Sequence, residues 1–119
     1  MKKFSVIIPQ RDCASLTKRC IQSIPDRKDI EVIIIDDNSH NSDELKNVEK
    51  LLNRGNCKFV YTIEGKGAGY ARNIGLKIAT GDWLIFADAD DFFTKEAFEI
   101  SDKPIINQYP EDDRQFSLW

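Results

Sequence analysis

The sequence predicts an α/β fold, an open and mostly parallel sheet with flanking helices. Three observations carry that prediction. Short aliphatic runs alternate with stretches of helical periodicity along the first 95 residues. The runs are nearly continuous in apolar residues, as strands buried on both faces must be. Each run also ends in acids, glycine or proline, the residues that turn a chain out of a sheet. Repeated strand–helix–strand order of this kind implies parallel pairing through right-handed crossovers.

Phe4 to Ile8 reads as the first strand, ended by Pro9. Cys13 to Ile24 follows as a helix, with Ala14, Leu16, Cys20, Ile21 and Ile24 on one stripe and Pro25-Asp26 as its stop. The second strand is Ile30 to Ile35. The second helix spans Asn41 to Asn53, started near Ser42 and stopped by Arg54-Gly55-Asn56. Phe59 to Ile63 is the third strand. Gly65-Lys66-Gly67-Ala68-Gly69 then leads into a helix from about Tyr70 to Ala79, and Trp83 to Ala87 forms the fourth strand. Thr94 to Ile100 has the pattern of a short helix capped by Thr94. The expected organisation is one domain over 1–119, with a motif-bearing core at 1–95 and a short C-terminal segment at 96–119.

Composition narrows the function. The chain has 119 residues, enough for one modest core, and its 41% hydrophobic and 31% charged residues are those of a soluble globular protein. A net charge of −3 gives no footprint for nucleic acid. Three cysteines without a C-x-x-C pair, beside one histidine, argue against a structural zinc site and fit a reducing cytoplasm. No segment has the length of a signal peptide's apolar region or of a spanning helix. The expectation is a cytoplasmic protein. Peripheral contact with a membrane surface and the oligomeric state stay open.

The chemistry-bearing residues fall at the carboxyl ends of the predicted strands, where open parallel sheets bind ligands. They are Pro9-Gln10-Arg11, Asp36-Asp37, Gly65 to Gly69, and Asp88-Ala89-Asp90-Asp91. Three carboxylates within four positions repel one another unless a cation lies among them. Carboxylate oxygens suit hard divalent ions, Mn²⁺ or Mg²⁺. The glycines before the third helix permit close backbone approach, and a helix N-terminus favours anions. A site for a metal-bound diphosphate follows. Plainer roles exist for each residue alone: acids as a helix cap, Asp-Asn-Ser as a solvated turn, Arg72 as a surface ion-pair partner, and His40 as a solvated side chain without a role.

Taken together, Ser5-Val6-Ile7-Ile8-Pro9, Glu31 to Ser39, Ala71-Arg72-Asn73-Ile74-Gly75 and Asp88-Ala89-Asp90-Asp91 resemble, in order, the blocks of the family 2 glycosyltransferases. That resemblance implies the GT-A fold, in its nucleotide-binding half, and a nucleotide-diphosphate sugar donor, with a UDP-sugar favoured. It implies metal-dependent transfer with inversion to an acceptor that could be a saccharide, a lipid-linked molecule or a protein. Asp88-Ala89-Asp90 resembles the D-x-D motif, with Asp88 on the ribose side and Asp90 as metal ligand. Asp37 resembles the uracil-contacting aspartate. Pro9, Gln10 and Arg11 occupy the base-covering loop, Gly67 the glycine loop, and Arg72 the arginine that points at the nucleotide. The chain departs from the family at Arg11-Asp12, where an aromatic and then Asn are common. Asp113, in Asp112-Asp113-Arg114-Gln115-Phe116, resembles the catalytic base, but only 22 residues separate it from Asp91. The family's acceptor-site strands normally lie in that interval.

Three alternatives remain. A dinucleotide-dependent oxidoreductase would need G-x-G-x-x-G, and reading from Gly67 the sixth residue is Arg72. A phosphoacceptor module would carry its acidic pair on the first strand. A non-catalytic module that binds nucleotide and metal without an acceptor site is the third.

Overall fold

A computed structural model describes residues 2–99. Strands β1 (Phe4–Gln10), β2 (Ile30–Asp37), β3 (Cys57–Thr62) and β4 (Trp83–Phe86) form one parallel sheet in the order β3-β2-β1-β4. Helices α1 (Ala14–Gln22), α2 (Ser42–Leu52) and α3 (Ala68–Ile78) connect them, and a short 3₁₀ turn (Lys95–Phe98) follows.

The two central strands explain the unbroken apolar runs. Every residue of β1 and β2 is buried, because both faces of the sheet are covered. Phe4, Val6 and Ile8 join Ile30, Val32 and Ile34 in the core shared with α1 and α2. The alternate residues Ile7, Ile33 and Ile35 face Ala71 of α3. Gly75 lets α3 lie close: a Cβ there would come within 2.5 Å of Ile7 Cγ2.

Element boundaries differ from the sequence reading for identifiable reasons. β1 runs past Pro9 to Gln10 instead of ending at Ile8. The Ala87 N–H donates to the Ile7 carbonyl, so odd-numbered residues of β1 direct their backbone groups toward β4. β4 pairs no further than Phe86 with Ile7, and the donor Pro9 lacks would have pointed beyond the end of that strand. The stop of α2 is Asn53, in the left-handed region at φ 45°, one residue before the predicted Arg54-Gly55-Asn56. Arg54 instead reaches across to α1 and donates to the carbonyls of Ile21 and Ile24, both at 2.6 Å. The third helix starts two residues earlier than expected, at Ala68 with Gly67 (φ 95°) as its N-cap. After Asp91 the chain returns along the α1 face. Phe93 and Phe98 are buried there, Phe98 edge-to-face with Phe4 at 5.4 Å.

A buried carboxylate ties the amino end of the sheet together. Glu31 is 1% exposed. It accepts from Ser5 Oγ (2.5 Å), from the Thr80 backbone N–H (2.5 Å) and Oγ1 (2.9 Å), and from Lys58 Nζ (3.4 Å). Ser5 Oγ in turn accepts from Gly81 N at 2.7 Å, fixing the turn between α3 and β4. Burial works to raise the Glu31 pKa, but the bonds from Ser5, Thr80 and Lys58 outweigh it and hold the group below its ordinary value. A depressed folded pKa contributes stability that is full above the unfolded value, 4.5, and is lost as pH falls through the folded one. Glu31→Gln is therefore expected to cost about 2 kcal/mol at pH 7. The variant's stability should also fall less steeply than the wild type's below pH 4.5, as measured by urea unfolding across pH. Equal curves for both proteins would contradict the assignment.

Candidate functional site

The strand order reverses between β1 and β4, since α1 leads from β1 toward β2 while β4 adds on the other side. Ligand crevices in open parallel sheets form at such a point, beyond the carboxyl ends of the strands. The structure brings Pro9, Gln10, Arg11, Asp37, Gly67, Arg72, Asp88 and Asp90 to that end. Asp113 lies outside the described residues.

Gln10 and Asp36 form the floor. The Gln10 side-chain amide donates to Asp36 and to Ser39 Oγ, and its Oε1 accepts from the Cys13 N–H at 3.2 Å. Ser39 Oγ also donates to Asp36. Gln10 is thus buried and its amide is engaged inside the protein; what it contributes to a crevice is its backbone and its hold on the Asp36 loop. Arg11, next in sequence, is exposed. Asp37 points to the opposite face of the sheet and accepts from Gly67 N at 2.7 Å. Its other oxygen, Oδ1, is buried without a partner among the described residues. Such an orphan acceptor costs free energy until something donates to it.

At the end of β4, the Asp88 carbonyl accepts from Asp91 N at 2.9 Å, and Asp91 Oδ2 accepts from Asp88 N at 2.7 Å. This tight turn projects the three acids. Asp88 is paired with the Arg72 guanidinium at 3.0 Å, so two residues expected at the nucleotide are joined to each other. Asp90 is exposed, and its carboxylate has no hydrogen bond or ion pair among the described residues. Its backbone carbonyl accepts from Arg19 Nη2 at 3.5 Å. Burial, reinforced by the charges of Asp88 and Asp90, raises the Asp91 pKa, against the opposing bond from Asp88 N. Burial also pushes the Cys20 thiol up to about 12, with Asp91, Asp90 and Asp88 adding to the effect. The three carboxylates therefore add negative potential at this turn, which Arg19 offsets in part.

A divalent cation fits that field, with limits. Among the described residues no group of three or more His, Cys, Asp or Glu side chains converges as a complete metal cage. The hard oxygens of Asp90 suit Mn²⁺ or Mg²⁺, whose remaining positions a diphosphate and water can fill.

Sequence reasoning missed one contact at the site. His40, read as a solvated side chain without a role, places Nδ1 2.7 Å from Asp12 Oδ2, and its backbone N–H donates to Asp12 Oδ1, also at 2.7 Å. The one sequence signal was the unusual Asp at position 12; no local pattern links residues 28 positions apart.

Residues 5–105 match the model of the glycosyl transferase family 2. The chain belongs to this family. It is 36% identical over 110 residues to an uncharacterized glycosyltransferase of Mycoplasma genitalium, covering 85% of this chain and 36% of that protein. It is 34% identical over 105 residues to the poly(ribitol-phosphate) β-N-acetylglucosaminyltransferase TarS of Staphylococcus aureus, covering 83% of this chain and 18% of TarS. The crystal structure of S. aureus TarS 1–349 in complex with UDP-GlcNAc superposes with a TM-score of 0.72 at 33% identity, over 82% of this chain and 29% of the other. The fold is accordingly the GT-A fold of this family, and the chain spans about a third or less of the length of these relatives.

The raised Asp91 pKa yields a prediction for this family 2 member. A carboxyl that holds its proton more tightly when folded makes stability fall as pH rises from the unfolded value of 3.8 through the folded one. Asp91→Asn keeps an acceptor for Asp88 N and removes the charge. Its melting temperature at pH 7 should exceed the wild type's, with the gap closing below pH 3.8. A lower melting temperature at pH 7 would contradict this account of the acidic turn.

Proposed function

We propose that this chain binds a nucleotide-diphosphate sugar, most favourably a UDP-sugar, at the carboxyl end of its sheet. There it takes part in metal-dependent, inverting transfer of the sugar to an acceptor hydroxyl. The observation that carries this reading is the acidic turn at the switch point, where Arg72 pairs with Asp88 and the Asp90 carboxylate is exposed with no partner among the described residues. The similarity to TarS, a protein solved with UDP-GlcNAc, supports the choice of donor.

Each residue has a definable task in this reading. Asp37 Oδ1, without a donor among the described residues, is the acceptor a uracil N3–H would satisfy, and Arg11 offers a flat cation beside the base. Asp88 accepts from the ribose hydroxyls, and Arg72 turns toward the phosphates as the Asp88 pair loosens. Asp90 would hold the cation, which would supply Lewis-acid stabilisation to the departing nucleoside diphosphate. Gly67, at φ 95° ahead of α3, admits the diphosphate close to the backbone. Transfer breaks the bond between the anomeric carbon and the diphosphate oxygen and forms one to the acceptor oxygen from the opposite side. The acceptor proton passes to a base, for which Asp113 is the sequence candidate. Three thiols left unpaired by the fold support a cytoplasmic setting.

The second reading is the non-catalytic module that the sequence also allows. In that reading the chain binds nucleotide and metal without turning over. Calorimetric titration and a sugar-transfer assay on the same preparation separate the two: both give Mn²⁺-dependent UDP binding, and only the first releases UDP from UDP-GlcNAc.

Two variants test the assignments. Asp90→Asn should abolish the Mn²⁺-dependent part of UDP affinity while leaving the melting temperature of the free protein unchanged or higher; unchanged affinity in Mn²⁺ would sink the metal-ligand role. Arg72→Ala should weaken UDP binding by about tenfold, the loss of a charge-assisted bond, with Mn²⁺ dependence retained. Joint loss of UDP affinity and Mn²⁺ dependence would contradict a phosphate-directed arginine.

A further inference from the structure

Asp12 lies in a backbone conformation that few residue types besides glycine, asparagine and aspartate adopt. Its φ is +54°, in the left-handed region, and Asn38 on the facing loop is similar at +59°. Contacts across the gap between the β1–α1 and β2–α2 loops hold it there. Asp12 N donates to Ser39 Oγ at 2.9 Å. Asp12 Oδ1 accepts from His40 N, and Oδ2 accepts from the His40 ring, each at 2.7 Å. The bond from the His40 ring, with further help from its backbone and charge, holds the Asp12 carboxyl below its ordinary value against the opposing effect of burial. Ser39 is also tied to Asp36, and Asp36 to Gln10, so the connection runs continuously between the ends of β1 and β2. Arg11 and Asp37, on either side of the proposed base slot, are each within three residues of this contact.

We propose that Asp12 and His40 form a clasp that fixes the spacing of these two loops, and that both are positioning residues for nucleotide binding. This rests on the nucleotide-sugar reading above. Neither residue touches the base. Their effect passes through Arg11 on one loop and Asp37 on the other, whose separation sets whether a base fits between them. An ion pair this exposed contributes little to global stability. Its consequence is local: two loops with two non-glycine residues at positive φ keep the Ser39 and Gln10 bonds but lose the restraint between the Asp12 and His40 side chains when it is removed.

Three variants separate the clasp from backbone strain. Asp12→Gly removes the side chain and tolerates positive φ, so it deletes the clasp without adding strain. Asp12→Asn retains an acceptor for His40 N and also tolerates that conformation. His40→Ala removes the ring from the other side. Hydrogen exchange of residues 10–13 and 38–41 reads the clasp, and UDP titration in Mn²⁺ reads its effect. Asp12→Gly and His40→Ala should each speed exchange in both loops and weaken UDP binding about five- to tenfold at an unchanged melting temperature. The double variant Asp12→Gly/His40→Ala should be no weaker than either single, as expected of one shared interaction. Asp12→Asn should stay within about twofold of wild type, since its carbonyl oxygen still accepts from His40 N and its amide can donate to the His40 ring nitrogen. Exchange unchanged in His40→Ala overturns the clasp. Faster exchange with wild-type UDP affinity overturns its positioning role. A wild-type chain that fails to bind UDP overturns the nucleotide reading and the positioning role with it, while exchange still reports the clasp itself.

Discussion

The concentration of negative charge at the carboxyl end of the sheet is the constraint on which the rest of the structure turns. Asp36, Asp37, Asp88, Asp90 and Asp91 all leave strand ends in that region. Carboxylates brought this close destabilise the fold unless each finds a donor or counter-charge. Four of them do. Gln10 and Ser39 bind Asp36, Gly67 N binds Asp37, Arg72 pairs with Asp88, and Asp88 N binds Asp91. Asp90 is left with its carboxylate in solvent and no partner among the described residues. The fold thus gives four of these acids internal donors, one of them the Arg72 guanidinium, and leaves the Asp90 carboxylate open to solvent.

The rigidity of the sheet makes that arrangement possible. β1 and β2 are buried on both faces, and their registers fix Gln10 opposite Asp36 without a loop's freedom. α3 sits close enough on the sheet that Gly75 has no room for a Cβ, and this sets where the helix's first residues and Arg72 emerge. The Glu31 network anchors the other end of the same connection, holding Thr80 and Gly81 against β1 and β2. Position at the site is therefore determined partly by contacts a whole sheet length away. Such sites are precise because they stand on packed elements.

Much of this was legible in the sequence, and the reasons are physical. Apolar runs ending in acids identified parallel strands, but burial followed only for the central β1 and β2. β4, read as buried, lies at the sheet edge with Trp83 and Leu84 exposed, because edge position depends on strand order. The helices showed themselves through periodicity, and the four motif blocks pointed to family 2 and to the end of the sheet that carries the site. What the sequence withheld depends on pairing over distance. No local pattern shows that Pro9 continues β1, because the answer lies in where β4 stops. Gln10 was read as facing a nucleotide, whereas the fold spends its amide on Asp36 and Ser39, a partner set chosen by the β1–β2 register. Arg72 and Asp88 were each assigned to a ligand, and their mutual ion pair became visible only once α3 was laid beside β4. Asp12 and His40 carried no signal for each other at all.

The central proposal is that Asp90 would hold the divalent cation that accompanies a bound diphosphate. Anomalous diffraction from crystals grown with UDP and Mn²⁺ tests it most directly. The account predicts a single anomalous peak at the end of β4, in direct contact with an Asp90 carboxylate oxygen and with the diphosphate. UDP bound at the sheet end with no manganese at Asp90, or manganese held elsewhere, would contradict it.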